Sequence, residues 1–438
     1  MAFFLKGVRV PHRKYTADKP VLRLDAPNTV RIPMSMHIGA PAKVLVKVGD
    51  TVKVGTLIGE AGGFVSSDIY SSISGKVSGI ENFTLASGAK TQAVVIESDG
   101  EMARDEALAP PTVTSADELA EAIRKSGVVG LGGAGFPTHV KFKVDPAKVE
   151  ALIVNGAECE PYITSDTYTM IERVADIEYA LAKIQEFFGI KKIIIGIEGN
   201  KKKAIESMKT LEGKIEGFTV KVLPSVYPQG GEKVLIYHTT GKVVPTGKLP
   251  IDVGCIVVNC TTLASIGEYL RDGTPLVEKC VTVAGGAVKN PTNIIAPIGT
   301  SAEDLITACG GFSEEPAKLL YGGPMMGITV AGMGVPVIKN TNAFVALTEK
   351  EAKLPKTTAC IRCGSCTNTC PFGLAAAEIL RAYDKKDAEK LRALSVETCM
   401  ECGCCSFVCP ANRPLVQTNK LAKAFLKEEK AKEDSKNG

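Results

Sequence analysis

Eight cysteines fall into two copies of one spacing, Cys360-x-x-Cys363-x-x-Cys366-x-x-x-Cys370-Pro371 and Cys399-x-x-Cys402-x-x-Cys405-x-x-x-Cys409-Pro410. Thiolates spaced in this way hold [4Fe–4S] cubanes. Three close cysteines wrap one corner of a cluster, and the fourth lies too far along to complete it and reaches the other cluster. The pattern predicts Cys360, Cys363, Cys366 and Cys409 on one cluster, and Cys399, Cys402, Cys405 and Cys370 on the other. Two structural zinc sites are the alternative, but zinc ordinarily takes two C-x-x-C pairs rather than two triples with a trailing Cys-Pro. Cys404 falls outside the template and reads as a small residue beside a cluster. None of the four histidines lies after residue 238, so histidine ligation is not expected. The remaining Cys159, Cys255, Cys260, Cys280 and Cys309 sit among apolar or small residues and read as buried structural cysteines.

A second constellation, Gly130-Leu-Gly132-Gly-Ala-Gly135, satisfies G-x-G-x-x-G. Its context is wrong for a dinucleotide fingerprint, since a helical stretch precedes it where a strand is needed and Pro137 follows closely. Alone, these glycines mark either a tight loop or a phosphate cradle. Backbone without side chains can approach a ligand closely and donate its amides to anionic oxygens. Beside it, Lys141 can neutralise a phosphate and Phe136 can stack on a heteroaromatic ring.

The elements that must position these residues divide a 438-residue chain into several units. From Val30 to Glu97, short β-rich runs alternate with glycine turns, as in a small β domain. The acidic, then proline-containing EMARDEALAPPTVT reads as a linker, and Ser115 with Glu118 forms a capping box opening the helix ADELAEAIRKSG. Apolar strands at Ala151–Val154, Lys192–Ile197, Thr219–Leu223 and Gly254–Val258 then alternate with helices at Thr167–Phe188 and Lys201–Leu211, predicting an α/β sheet. Residues 280–312 read as strand, turn, strand and helix, a small β-grasp unit. After Leu354, helices at Ala375–Lys385, Asp387–Leu394 and Leu415–Lys427 surround the cysteine runs. The charged close EEKAKEDSKNG is expected to be disordered. The expected boundaries are 1–105, 112–275, 276–345, 350–428 and a tail at 429–438.

With 52 basic against 48 acidic residues and no basic face interleaved with aromatics, nucleic acid is not an expected partner. No apolar run approaches the roughly 20 residues that span a bilayer, and the opening MAFFLKGVRVPHRK is too short in apolar residues for a secretory signal. A cytoplasmic protein is expected, with its crowded cysteines used for metal or redox chemistry rather than disulfides.

Several segments carry resemblances. VKVGDTVKVGTLIGE and SGKVSGI resemble the two halves of the barrel-sandwich fold of lipoyl and biotinyl carriers, with Phe64 where a carrier lysine belongs, which implies a structural or docking role. SGVVGLGGAGFPTHVKF, VNGAECEPYITSD, YPQGGEKVLI and VVNCTTLASIG resemble, in order, the flavin- and NADH-binding subunit of respiratory complex I. With the two-cluster motif and the opening FLKGVRVPHRKYTADKP, the whole chain resembles the RnfC family, a component of Rnf-type, membrane-bound ferredoxin:NAD oxidoreductases.

That resemblance implies a multidomain α+β and α/β protein: a lipoyl-like barrel-sandwich, an FMN/NADH-binding domain, an SLBB-like β-grasp unit and a helical domain with two [4Fe–4S] clusters. It implies non-covalent FMN, lined by Gly130, Gly132, Gly133, Gly135, Phe136 and Lys141, with Asn155, Glu158, Tyr227, Gly230, Asn259 and Thr262. Glu160 and Glu232 would lie nearer NADH/NAD+. Leu131 and Ala157 stand where complex I has an arginine and an aspartate. The implied activity is electron exchange between NAD(H), FMN and the clusters, and no side chain is named as a general acid or base. Implied partners are the other subunits of a membrane-bound complex and, through it, ferredoxin, with peripheral attachment on the cytoplasmic face. A flavin-dependent cobalamin reductase and a non-catalytic ferredoxin-like scaffold are the alternatives.

Overall fold

The computed structural model describes residues 5–437; the remaining residues of the expected opening and tail, 1–4 and 438, lie outside it. Val30, Ile32, Val77, Val94 and Ile96 alternate inward along the longer strands of the first unit and fill its core. One sheet orders Thr29–Pro33, Lys90–Ser98, Gly75–Thr84 and Thr51–Val52, and a second orders Lys43–Val44, Leu57–Glu60 and Ile69–Tyr70. The carrier-like tip does not swing free. The Phe64 carbonyl accepts from His139 Nε2 at 3.0 Å, which pins the tip to the helix Thr138–Phe142.

Residues before Thr29 leave this unit. Val8 and Tyr227 exchange backbone hydrogen bonds at 2.8 Å, and Thr369 Oγ1 donates to the Gly7 carbonyl at 2.9 Å. Lys14 Nζ donates to the carbonyls of Glu158, Glu160 and Ile163 at 2.8, 2.7 and 2.5 Å. Leu22–Arg23 then joins the β-grasp sheet beside Thr292–Pro297. The opening segment therefore straps three other units together.

Ser115 does cap the helix Ala116–Lys125, but the Glu118 carboxylate reaches back to the Thr114 amide at 2.7 Å rather than to Ser115. The central sheet is parallel, ordered Phe218–Leu223, Ile193–Glu198, Ala151–Asn155 and Cys255–Asn259. The near-continuous Val/Ile runs of its inner strands are what a sheet covered on both faces requires. In chain order this is 3-2-1-4, so the strand order reverses between Ala151–Asn155 and Cys255–Asn259, and ligands bind parallel sheets beyond the carboxyl ends at such a reversal.

The single helix expected over 167–188 is two, Ser165–Glu172 and Val174–Phe188. The break is at Arg173, whose guanidinium pairs with Asp176 and with Glu268, both at 2.7 Å. A six-stranded sheet built on Glu278–Ala284, Thr292–Pro297 and Ala343–Leu347, with the helix Ala302–Ala308, forms the β-grasp unit. Buried Lys339 ties it to its neighbours, donating to Ser67 Oγ at 3.0 Å and the Gly127 carbonyl at 2.7 Å.

The expected disordered tail is a correction. The last helix runs Leu415–Asn437 without interruption. Lys and Glu are good helix formers, and here they pair locally, Lys432 with Glu429 at 2.8 Å, and across to the preceding helices, Arg392 with Glu433 at 2.9 Å.

Candidate functional site

At the sheet's reversal point lies a cavity of about 540 Å³, within the size range of cofactor sites, roughly 300–1,000 Å³. Gly130, Gly132, Gly133, Gly135, Phe136, Lys141, Asn155, Gly230, Glu232 and Asn259 line it, together with the apolar Val140, Val144, Ile256 and Val257. Both asparagines end strands. Asn155 donates to the Gly230 carbonyl at 2.9 Å, and Asn259 caps the helix Cys260–Asp272 by accepting from the amides of Thr261 and Thr262. A Cβ on Gly132 would collide with the Asn259 amide, so the close approach requires glycine there. Thr262 lies behind the loop and anchors its root, accepting from the Leu131 amide at 2.9 Å and donating to the Val129 carbonyl at 3.1 Å. Leu131 itself points into the core.

Two other units hold the exposed loop. Asn340 Nδ2 donates to the Gly133 carbonyl at 2.8 Å, and the Ile38 amide donates to the Gly135 carbonyl at 3.1 Å. A second cavity of about 410 Å³, lined by Met36, Ile38, Ala134 and Ile338 among others, backs the loop on this side. With little side chain to pack beyond Leu131 and a void behind it, the exposed part of the loop is held by these polar tethers.

Lys141 and Glu232 form an ion pair in the cavity lining, 2.9 Å apart, and Lys141 also donates to the Val257 carbonyl at 2.8 Å. Three other residues expected here are placed elsewhere. Glu158 is buried, and its carboxylate caps the helix Ser165–Glu172, accepting from the Asp166 amide at 2.8 Å and Thr167 Oγ1 at 2.7 Å. Glu160 is half-buried, its two oxygens taken by the amides of Met325 and Met326 at 3.0 and 2.8 Å. Burial pushes both carboxyls up to about 7, even with Lys14 nearby favouring their charged forms. Tyr227 is buried between units, and its hydroxyl donates to the Cys402 carbonyl at 2.7 Å.

Cys370, Cys399, Cys402 and Cys405 line one enclosed pocket, walled by Phe372, Leu374, Met400 and Val416. Cys409 packs with Cys366 in another apolar cluster. The two motifs repeat one backbone path: Arg362 and Gly364 take left-handed φ values of 57° and 78°, and Glu401 and Gly403 repeat them at 61° and 81°. Each turn aims an amide at the first thiol, Arg362 N at Cys360 Sγ and Glu401 N at Cys399 Sγ, both at 3.4 Å. In this repeat Cys404 takes the place of Ser365. Four cysteines lining one enclosed apolar pocket have the chemistry to hold a cubane, and the cavity with its glycine loop, cation and apolar wall fits FMN. Sequence reasoning missed Asn340, Met400 and Asn419, none of which belongs to a motif with a spacing of its own.

Family models match the same divisions: an RnfC barrel sandwich hybrid domain at 2–101, a Nuo51 FMN-binding domain at 123–268, an SLBB domain at 280–329 and a 4Fe-4S dicluster domain at 356–413. The C component of the Na(+)-translocating ferredoxin:NAD(+) oxidoreductase complex of Acetobacterium woodii is 43% identical over 96% of both chains. The chain belongs to the RnfC family of ion-translocating ferredoxin:NAD(+) oxidoreductase components. The C component of the proton-translocating complex of Clostridium ljungdahlii is 44% identical over 83% of this chain and 80% of its own. That of the ion-translocating complex of Rhodobacter capsulatus is 39% identical over 98% and 85%. RnfC relatives this similar are thus named for different coupling ions. A chain of an H2-reduced NAD+-reducing [NiFe]-hydrogenase shares the fold, with TM-score 0.51 at 15% identity over 71% of this chain and 63% of that one. As a member of the RnfC family, this chain carries an FMN-binding domain and a domain for two [4Fe–4S] clusters.

Proposed function

We propose that this chain exchanges electrons between NAD(H) and the one-electron centres of a membrane-bound ferredoxin:NAD oxidoreductase complex. FMN, when bound, supplies the conversion between a two-electron hydride and single electrons. In this reading the glycine loop admits the flavin, Lys141 balances its phosphate, and Glu232 recognises the nucleotide. The observation that carries it is how the cluster loop meets the cavity wall. A Cβ on Gly231 would overlap the Met400 side chain, and Gly231 lies between the lining residues Gly230 and Glu232. The pocket of Cys370, Cys399, Cys402 and Cys405 therefore adjoins the flavin cavity.

Cys360 and Cys363 are exposed, and around them Lys353, Lys356, Arg362 and Ile361 also face solvent. This supports assigning that end to an acidic electron carrier among the partner proteins. No helix among the described residues is long and apolar enough to cross a membrane. Attachment through partner proteins, on the cytoplasmic face, accords with that. The test is anaerobic mixing of NADH with the purified, reconstituted chain. Bleaching of both flavin and cluster absorption is expected, and a protein that holds no flavin would overturn the reading in favour of a scaffold.

A further inference from the structure

The two cluster motifs repeat in spacing and backbone path, so a difference between equivalent positions is informative. Counting ten residues beyond the last cysteine of each motif gives Leu380 after Cys370 and Asn419 after Cys409. Leu380 packs with Cys366 in the apolar cluster beside the first site. Asn419 lines the pocket of the second, and its Nδ2 lies 3.4 Å from Cys399 Sγ.

Asn419 is 2% exposed, and its Oδ1 is buried with no hydrogen-bond partner among the described residues. A buried carboxamide with one end unsatisfied is costly, and a leucine at this position would avoid that cost, as at Leu380. What the amide offers that leucine cannot is an N–H aimed at sulfur. A ligating thiolate carries no proton, so only the Nδ2 end can face it. Lys423 Nζ donates to the Cys399 carbonyl at 3.0 Å and holds the same segment from the same helix.

We propose that Asn419 tunes the potential of the cluster held by Cys370, Cys399, Cys402 and Cys405, and so separates it from its twin. The inference rests on the cluster assignment above. An N–H donor to a ligand sulfur favours the more negative, reduced cluster and raises its potential. The backbone amides donating to Cys360 and Cys399 are equivalent in the two motifs and do not create the difference; the side chain does. The flavin-side cluster thus gains an electron-holding bias that the exposed cluster lacks at the equivalent position.

The test is a redox titration followed by electron paramagnetic resonance on the reconstituted full chain, comparing wild type, Asn419→Leu and Asn419→Asp. Iron and sulfide are counted in each. With about eight irons retained, one of two midpoint potentials should fall in Asn419→Leu and fall further in Asn419→Asp, which adds charge and removes the donor. Should Asn419→Leu lose a cluster, the reciprocal Leu380→Asn provides the measurement, because it should raise the potential of the other cluster alone. Unchanged potentials in eight-iron variants overturn the inference while leaving the clusters standing. A wild-type protein containing zinc instead of iron and sulfide overturns the cluster assignment itself.

Discussion

The Tyr227 hydroxyl donates to the Cys402 carbonyl at 2.7 Å, joining the flavin unit to the loop that carries three cluster cysteines. Tyr227 also exchanges backbone hydrogen bonds with Val8, so one buried residue fastens the opening strap, the nucleotide unit and the cluster unit. Removing the hydroxyl in Tyr227→Phe leaves a buried carbonyl unpaired, at a cost of about 1–3 kcal/mol. The variant should retain flavin and both clusters, melt at lower temperature, and pass electrons from flavin to cluster more slowly in stopped-flow. Wild-type melting and transfer rates would remove Tyr227 from this role.

Metal analysis after anaerobic reconstitution should give about eight iron and eight sulfide per chain. In Cys409→Ser the cluster of Cys360, Cys363 and Cys366 should be the one damaged, and in Cys370→Ser the other. Damage confined to the opposite cluster in either variant contradicts the crossed ligation.

Glu232 and Lys141 form a partly exposed pair, worth under about 1 kcal/mol to stability, so replacing Glu232 should leave the fold intact. In the proposed function a carboxylate there would accept from ribose or amide donors and repel the extra phosphate of NADPH. Glu232→Gln should raise the KM for NADH about tenfold in a ferricyanide assay, equivalent to ~1.4 kcal/mol, with flavin content unchanged. Unaltered NADH kinetics would take Glu232 out of the site, and equal use of NADPH by the wild type would undo the specificity argument.

Asn340 reaches the glycine loop from the β-grasp unit. Asn340→Asp exchanges a donor for a carboxylate facing the Gly133 carbonyl, and FMN should then dissociate about tenfold more readily, equivalent to ~1.4 kcal/mol, by flavin fluorescence. Wild-type affinity would show that the loop does not need the tether.

Burial first of all raises the Glu160 carboxyl from its ordinary 4.5 to about 7. Between those values the folded chain keeps a proton that the unfolded chain releases. Stability therefore falls as pH rises from about 4.5 to about 7, by at most ~1.4 kcal/mol per pH unit from this group, and levels off above. Glu158, likewise raised to about 7, contributes with the same sign. Glu160→Gln cannot titrate and should partly flatten the fall in melting temperature across that range. A profile parallel to the wild type would mean that Glu160 is already ionised when folded.

The candidate cluster ligands were legible because their chemistry is written in local spacing: two C-x-x-C-x-x-C-x-x-x-C-P runs require no knowledge of the rest of the chain. The four parallel strands were legible too, since each is a short apolar run bounded by turns, and observed ends differ by a residue or so. The glycine loop could be recognised as a close-approach segment, although its ligand depended on neighbours scattered over more than a hundred residues. What sequence could not decide is where buried polar side chains spend their hydrogen bonds. Glu158, Glu160 and Tyr227 stand in the segments that form the site, yet their polar atoms go to a helix N-terminus, to the amides of Met325 and Met326, and to Cys402. Tyr227 and Cys402 are 175 positions apart, and no periodicity or spacing encodes such a pair. The helical tail was hidden for the same reason: its composition permits disorder, and one residue it pairs with, Arg392, lies 41 residues away on another helix. Local pattern determined which elements form and which residues can bind metal; only packing between units decided which polar groups remain free to meet a cofactor.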